Sequence, residues 1–154
     1  MNMTRKLKTY LDTSVISALF DARNPERKSL TESFFEQIES FDPFISEITV
    51  AEIERTPDHA LRSKMKEVAL QFTALPLTDD VKGLADEYVR YGAVPESYLE
   101  DAYHIAVAVI NEMDCILSWN FRHIVRRKTR DIVKMVNTVN AFRHIEIMTP
   151  AELL

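Results

Sequence analysis

Three acidic side chains and one amide are the residues whose placement in this sequence indicates chemistry: Asp12, Glu52, Asp101 and Asn120. Together they offer oxygen ligands with no histidine or cysteine, and such a set suits Mg²⁺ or Mn²⁺ rather than zinc. Magnesium sites built from few carboxylates leave positions for water and for substrate phosphate. That arrangement is used for metal-assisted hydrolysis of phosphodiesters, which is the chemistry these residues favour.

Asp101 lies near the start of a stretch, from Glu100 to Asn111, that has the pattern of a half-buried helix. Apolar residues occur at positions 102, 105, 106, 109 and 110, the spacing of a single buried helical face. At about 100° per residue, Asp101 lies within roughly 40° of Ile105 and Ala108, at the edge of that face. Because an unpaired carboxylate is costly there, we expect Asp101 to have a partner.

The other three polar residues also adjoin predicted strands and helices. Asp12 directly follows a predicted short strand at 7–11, and Asn120 lies just after an apolar run at 115–117 that predicts a central strand. Glu52 shares a helical face with Ile48 and Ala51 in the segment 47–54, which Ser46 can cap. Further strands are predicted at 44–45, 75–77 and 145–147, and further helices at 15–19, 30–41, 61–72, 81–88 and 132–139.

Strands that alternate with helices imply right-handed crossovers, and hence an α/β fold whose parallel sheet is covered on both faces. In such sheets, ligands bind beyond the carboxyl ends of the strands. We therefore expect the four polar side chains to converge at that edge of the sheet.

Length and composition predict one globular domain spanning residues 1–154. The chain is 46% hydrophobic and 28% charged, a balance that argues against disorder. No uncharged run approaches the roughly 20 residues of a membrane span, and the basic start has no apolar segment of a signal peptide behind it. The single cysteine, Cys115, lies in an apolar run, which predicts a buried thiol and a cytoplasmic protein.

The charge is unevenly distributed along the chain. The net charge of −5 argues against a general nucleic-acid coat protein. Between Asp114 and Asp131, however, there is no acidic residue and there are five basic ones. These five residues, called the basic segment below, are Arg122, Arg126, Arg127, Lys128 and Arg130. The segment predicts either a local anion site or a solvated helix face near a turn.

Four motifs, in order and spacing, resemble those of PIN-domain nucleases. They are the segment Tyr10–Val15 around Asp12, the segment Ser46–Ile53 with Glu52, the segment Glu100–Ala106 with Asp101, and the segment Cys115–Ile124 with Asn120. The ending Ile145–Pro150 is similar to the last strand and Thr-Pro turn of that family.

The resemblance implies a three-layer αβα fold and a metal-dependent ribonuclease. Many members are VapC-like toxins of type II toxin–antitoxin pairs, so it also implies an antitoxin partner and a homodimer. Carried over by position, Asp12, Glu52 and Asp101 would hold the metal. The fourth position, often Asp in the family, is Asn120 here, which weakens the case for a second metal.

Several neighbouring side chains are predicted to assist. Thr13 and Ser118 each offer a hydroxyl, and Arg122, Arg126 and Arg127 are expected to hold RNA phosphates. Trp119 is expected in the core, with stacking on a base as the alternative. His104 and His123 are expected to be structural hydrogen-bonding residues rather than general bases.

Two rival functions remain open from the sequence. Because Asn120 removes a charge from the set, one rival is a catalytically idle PIN-like module that binds RNA or a protein. The other is a structure-specific DNA nuclease on a related fold, for which the chain is short. Apolar residues near Leu61, Met65 and Phe72 are the predicted dimer surface, unless the core uses them all.

Overall fold

A sheet of five parallel strands, in the order β3-β2-β1-β4-β5, forms the centre of the computed structural model, which describes residues 5–154. The strands are β1 (Lys8–Leu11), β2 (Asp42–Ser46), β3 (Thr73–Leu75), β4 (Cys115–Leu117) and β5 (Glu146–Met148). The chain starts in the middle of the sheet, extends to one edge through β2 and β3, and then returns to add β4 on the other side of β1. This reversal makes the gap between β1 and β4 the place where a ligand crevice is expected.

Seven helices connect and flank the strands in the described part of the chain. They are α1 (Thr13–Ala18), α2 (Pro25–Glu36), α3 (Glu47–Glu54), α4 (His59–Ala69), α5 (Asp79–Arg90), α6 (Leu99–Ile110) and α7 (Arg127–Val139). Three short 3-10 segments complete the elements, at Ile38–Ser40, Glu96–Tyr98 and Pro150–Leu153. None of the helices within 5–154 is both long enough and apolar enough to cross a membrane.

The core consists of two hydrophobic clusters, one on each face of the sheet. Tyr10 and Ile116 belong to the cluster that includes residues of α5, α6 and α7. Their neighbours Leu11 and Leu117 belong to the cluster that includes residues of α1, α2 and α4. Successive side chains of a strand point to opposite faces, so the two clusters are separate layers. The three-layer αβα architecture and the parallel sheet are confirmed.

Polar residues cap the helices that follow β1, β2 and β3. Asp12 accepts a hydrogen bond from the backbone N–H of Ser14, and Ser46 accepts one from Ile48. Thr78 does the same at the start of α5. Such caps satisfy N–H groups that have no partner inside the helix. They also fix the direction in which each chain segment leaves the sheet.

The predicted helix over 30–41 is wrong at both ends. The helix begins at Pro25, where a missing N–H costs nothing, and a 3-10 turn follows its end at Glu36. Pro43 lies inside β2 rather than before it. The N–H of Asp42 donates to Leu7 O across β1 at 2.9 Å, so the next residue faces the side where β3 has not yet begun. A proline is tolerated there because no ladder bond is lost.

Other boundaries shift by a few residues. The edge strand β3 ends at Leu75, because Pro76 cannot donate to a ladder, and Phe72 lies beyond the end of α4. Pro95 precedes a 3-10 turn, and α6 starts only at Leu99. On α3 the buried residues are Ile48, Thr49 and Ile53, whereas Ala51 is exposed. Glu52 is therefore at the margin of the buried face rather than within it.

Candidate active site

The carboxylate of Asp12 is fixed by two serine hydroxyls at the end of β1. Its Oδ2 accepts a hydrogen bond from Ser118 Oγ at 2.6 Å, and its Oδ1 accepts from Ser14 Oγ and from the Ser14 N–H. Each serine in turn accepts a backbone N–H from the turn after β4, Trp119 N to Ser14 at 2.8 Å and Asn120 N to Ser118 at 2.9 Å. The orientation of Asp12 is thus set by the neighbouring strand.

Glu52 is connected to the core through a histidine. Its Oε1 accepts a hydrogen bond from Thr13 Oγ1 at 3.1 Å and another from Nε2 of the buried His104. Nδ1 of His104 contacts the hydroxyl of Tyr10 at 2.6 Å, and that hydroxyl contacts Ser46 Oγ at 2.7 Å. Because Ser46 also caps α3, the helix that carries Glu52 and the histidine that holds it belong to one network.

Asp101 lies in the first turn of α6 and has a histidine partner of its own. His123 Nδ1 is 3.2 Å from its Oδ2, and the imidazole ring packs against Tyr98 with 4.1 Å between ring centroids. Asp101 and Glu52 line the same open cavity, of about 470 Å³. The partner that the buried helical face required is therefore a histidine from the turn after β4.

The pKa values of these groups shift in opposite directions. Burial raises the pKa of Asp12, with a further contribution from the charge of Glu52. Burial likewise raises the pKa of Asp101, and the charges of Asp12 and Glu52 add to the effect. For Glu52, burial is outweighed by the hydrogen bond and charge of His104, so the pKa of that carboxyl is lowered.

His104 is the buried partner of Glu52 in this group. Burial opposes its protonation, but Tyr10, Glu52 and Asp12 together raise its pKa well above the ordinary value. Its raised pKa and the lowered pKa of Glu52 describe the same ion pair. A protonated His104 donates from both ring nitrogens, to Glu52 and to Tyr10, which leaves the tyrosine hydroxyl free to donate to Ser46.

The three carboxylates have the chemistry of a divalent-cation site. No lysine or arginine of residues 5–154 lies within salt-bridge distance of them; the partners found are the histidines of Glu52 and Asp101. Oε2 of Glu52 and Oδ1 of Asp101 accept no hydrogen bond from the described residues. Both oxygens face solvent, since no fully buried side-chain oxygen in this part lacks a partner. Surplus negative charge and free oxygen lone pairs suit Mg²⁺ or Mn²⁺.

The side chains are not gathered into a finished metal cage. Within residues 5–154, no group of three or more His, Cys, Asp or Glu side chains is placed so that it could hold a metal ion. The donor chemistry therefore fits a cation, and the ligand assignment of Asp12, Glu52 and Asp101 stays a prediction.

Asn120 shapes the turn after β4. Its Oδ1 accepts the backbone N–H groups of Arg122 at 3.1 Å and His123 at 2.9 Å. It thereby holds in place the histidine that contacts Asp101, and it adds no charge to the site.

The basic segment divides into fixed and free side chains. Arg126 donates to Ala93 O at 2.9 Å and to Thr129 Oγ1 at 2.8 Å, and Arg130 donates to Ile147 O. These hydrogen bonds connect the start of α7 to the loop that contains Ala93 and to β5. Arg122 and Lys128 are exposed and form no salt bridge within the described chain, while the exposed Arg127 is 3.7 Å from Asp131.

Trp119 and the two histidines occupy the structural positions expected of them. Trp119 is 7% exposed and donates from Nε1 to Thr31 Oγ1 at 2.9 Å, so it belongs to the core. The sequence interpretation missed Ser14 and Tyr10. Ser14 belongs to the Asp-Thr-Ser turn and had a detectable signal there. Tyr10 is a strand residue whose hydroxyl meets a histidine 94 positions away, and nothing local indicates that contact.

Comparison with known proteins agrees with this architecture. The family model described as PIN domain matches residues 9–126, which include most of β1, all of β4 and all four candidate residues. The chain belongs to the PIN domain family. Among solved structures, its fold is similar to that of Mycobacterium tuberculosis VapC20, a toxin that cleaves the sarcin-ricin loop. The TM-score is 0.58 at 18% identity, over 73% of this chain and 92% of VapC20. A search of curated protein sequences finds no match.

Removing the Tyr10 hydroxyl tests the network that holds Glu52 in this PIN domain. We expect Tyr10→Phe to lower the free energy of unfolding by about 1–3 kcal/mol, because His104 and Ser46 lose a buried partner. Tyr103→Phe is the matched control, since that hydroxyl forms no hydrogen bond with residues 5–154. Urea denaturation of both variants measures the difference. Equal stability of the two would show that the Tyr10 contact does not hold the site.

Proposed function

We propose that this PIN domain is a metal-dependent endoribonuclease and the toxin of a type II toxin–antitoxin pair. The observation that carries the proposal is a group of three carboxylates that have no lysine or arginine partner among the described residues. They lie near the carboxyl ends of the parallel strands. Family membership supports nuclease activity in general, and PIN nucleases generally use divalent metals. The similarity to VapC20, a toxin that cleaves RNA, supports the choice of substrate.

In the proposed site, Asp12, Glu52 and Asp101 would hold Mg²⁺ or Mn²⁺. The cation would supply Lewis acidity and lower the pKa of water, which promotes hydrolysis of a phosphodiester. The protein orients the carboxylates and favours the charged form of Glu52. His104 holds Glu52 in its ionised form, and the hydroxyls of Ser14 and Ser118 direct the oxygens of Asp12.

The predicted substrate contacts acquire different roles in this proposal. Thr13 and Ser118 donate their hydroxyls to site carboxylates, which favours positioning of the acids over binding of RNA. Arg122 and Arg127 remain the proposed phosphate contacts, because their side chains are exposed. Arg126 is assigned to the fold, because its guanidinium is bonded to Ala93 and Thr129.

The remaining expectations concern the surroundings of the protein. We propose that residues 1–154 act as one domain, that an antitoxin protein binds it, and that it works in the cytoplasm, where its lone buried Cys115 stays reduced. The homodimer also stays a prediction. Met65 belongs to the core, and the exposed apolar side chains near that region are Leu70 and Val50.

Cleavage assays with labelled RNA and DNA test the proposal directly. We expect RNA to be cut in Mn²⁺ or Mg²⁺ and not in excess EDTA, with DNA cut more slowly. Asp12→Asn and Glu52→Gln should lower the rate by orders of magnitude, because each removes a charge from the site. Glu54→Gln, an exposed acid on the same helix, should cut at the parental rate. Full activity in EDTA, or in the Glu52→Gln variant, would refute the assignment.

The basic segment has its own test in RNA binding. Charge reversal at Arg122 and Arg127 should weaken binding and lessen its dependence on salt, since each lost phosphate contact reduces the slope of log K against log salt by about one. Lys64→Glu, an exposed change of the same charge on α4, controls for net charge. An unchanged slope would assign the arginines to a solvated surface.

Asp101→Asn separates the site from the scaffold. Because burial and neighbouring acids raise the pKa of Asp101, its ionised form strains the folded state at neutral pH. In EDTA the variant should be as stable as the parent, or more stable by about 0.5–2 kcal/mol. In Mn²⁺ only the parent should gain stability, through mass action. Thermal melts in both buffers measure this, and equal loss of stability in both would mark Asp101 as structural.

A further inference from the structure

Phe121, the residue after Asn120, has an exposed aromatic ring that is not part of the hydrophobic core. Phe121 is 51% exposed, and its ring centroid is 6.2 Å from that of the buried Trp119. The guanidinium of Arg27, on α2, lies over both rings, at 5.3 Å from the centroid of Trp119 and 5.7 Å from that of Phe121. We call the surface made by Arg27, Trp119 and Phe121 the aromatic shelf. It borders an open groove of about 500 Å³.

Arg27 keeps its hydrogen-bonding capacity free. Within residues 5–154 its side chain forms no salt bridge, although it is partly buried against the two rings. Arg23, which lines the same groove, is different, because its guanidinium binds both carboxylate oxygens of Asp21. Arg27 is therefore the arginine of this groove that can offer planar N–H donors to an anion.

Backbone hydrogen bonds connect the turn that carries the aromatic shelf to the acidic site. The backbone N–H of Trp119 donates to Ser14 Oγ, which itself donates to Asp12. Asn120, between Trp119 and Phe121, donates its backbone N–H to Ser118, the second serine on Asp12. The turn that supports the acidic site therefore also carries Trp119 and Phe121, the two aromatic rings of the shelf.

We propose that the aromatic shelf binds one nucleotide of the RNA beside the cleavage position, with its base stacked on Phe121 and its phosphate on Arg27. That the ligand is RNA rests on the proposed function. That it is bound by stacking and by a phosphate contact rests on the residues of the shelf. Stacking accepts any base, because every base has a π face. It requires a base that is unpaired or turned out of a helix, so the shelf selects single-stranded segments and loops.

The experiment measures binding without cleavage. The probe is a short 2′-O-methyl RNA of randomised sequence, and its partner is a chain of the same length with abasic sugars. Fluorescence of Trp119, the single tryptophan, reports occupancy of the shelf. The base-bearing chain should change the emission and bind more tightly than the abasic one. Phe121→Ala should weaken binding of the base-bearing chain about tenfold and leave the abasic chain unaffected.

Further variants separate stacking from other effects. Phe121→Tyr should restore binding and Phe121→Leu should not, because only tyrosine keeps the π face. Arg27→Gln should weaken both chains, because both carry phosphates. Val139→Ala, an exposed apolar change at the far end of α7, should match the parent.

One result would overturn the shelf: equal affinity of the parent and Phe121→Ala for the base-bearing chain. The proposed function fails separately. If the parent protein does not cleave RNA, the nuclease proposal is wrong, but a difference in binding between the parent and Phe121→Ala still supports the shelf. If the parent cleaves RNA and that difference in binding is absent, the nuclease proposal holds and the shelf is wrong.

Discussion

A buried carboxylate at the centre of the sheet is the constraint on which the rest of this structure depends. Asp12 is only 4% exposed, and burial of an ionisable group is costly unless hydrogen bonds compensate for lost water. Here the compensation comes from two serines that are themselves held by the turn after β4. The strand order, which places β4 directly beside β1, is what makes these contacts available.

The same constraint explains the position of His104. Three carboxylates near one another repel, and the buried imidazole is the group that contacts one of them from the core side. Its second nitrogen contacts Tyr10, whose hydroxyl reaches the residue that caps α3. The charge balance of the site is therefore built into the packing between β1, α3 and α6. A substitution in this part of the core acts on the acids as well as on stability.

The fold was accessible from sequence because its strands alternate with helices and its polar residues follow the strands. The apolar run at Cys115–Leu117 and the pattern after Asp101 correspond to β4 and α6. Boundaries set by proline were less accessible. Pro43 can lie within a strand because the pairing with β3 begins only at the next residue, Phe44. The sequence around Pro43 does not indicate where that pairing begins. Contacts between distant residues were also hidden, as with Tyr10 and His104, because only the assembled sheet brings them together.

Residue roles followed the same division. Glu52 and Asp101 stand out because acids on inward helical faces are unusual, and Asp12 stands out because it directly follows a strand; both are local signals. No local signal distinguishes Arg126, which is bonded to the fold, from Arg127, which is exposed, because the two residues are adjacent and chemically identical. Only the position of Ala93 O decides that the first is bonded to the fold. Phe121 and Trp119 are likewise similar in type, and their exposure is set by what α2 covers.

The distance along the chain between Asp12 and Ser118 has a consequence for synthesis. The two residues are separated by 106 positions, so a ribosome completes the first half of the site long before the second. Domains can begin to fold while their remainder is still being made. In this chain the carboxylate of Asp12 lacks the second of its two orienting hydroxyls, that of Ser118, until β4 and the turn after it have emerged. The hydrogen-bonded arrangement around Asp12 is consequently complete only when most of the polypeptide has left the exit tunnel.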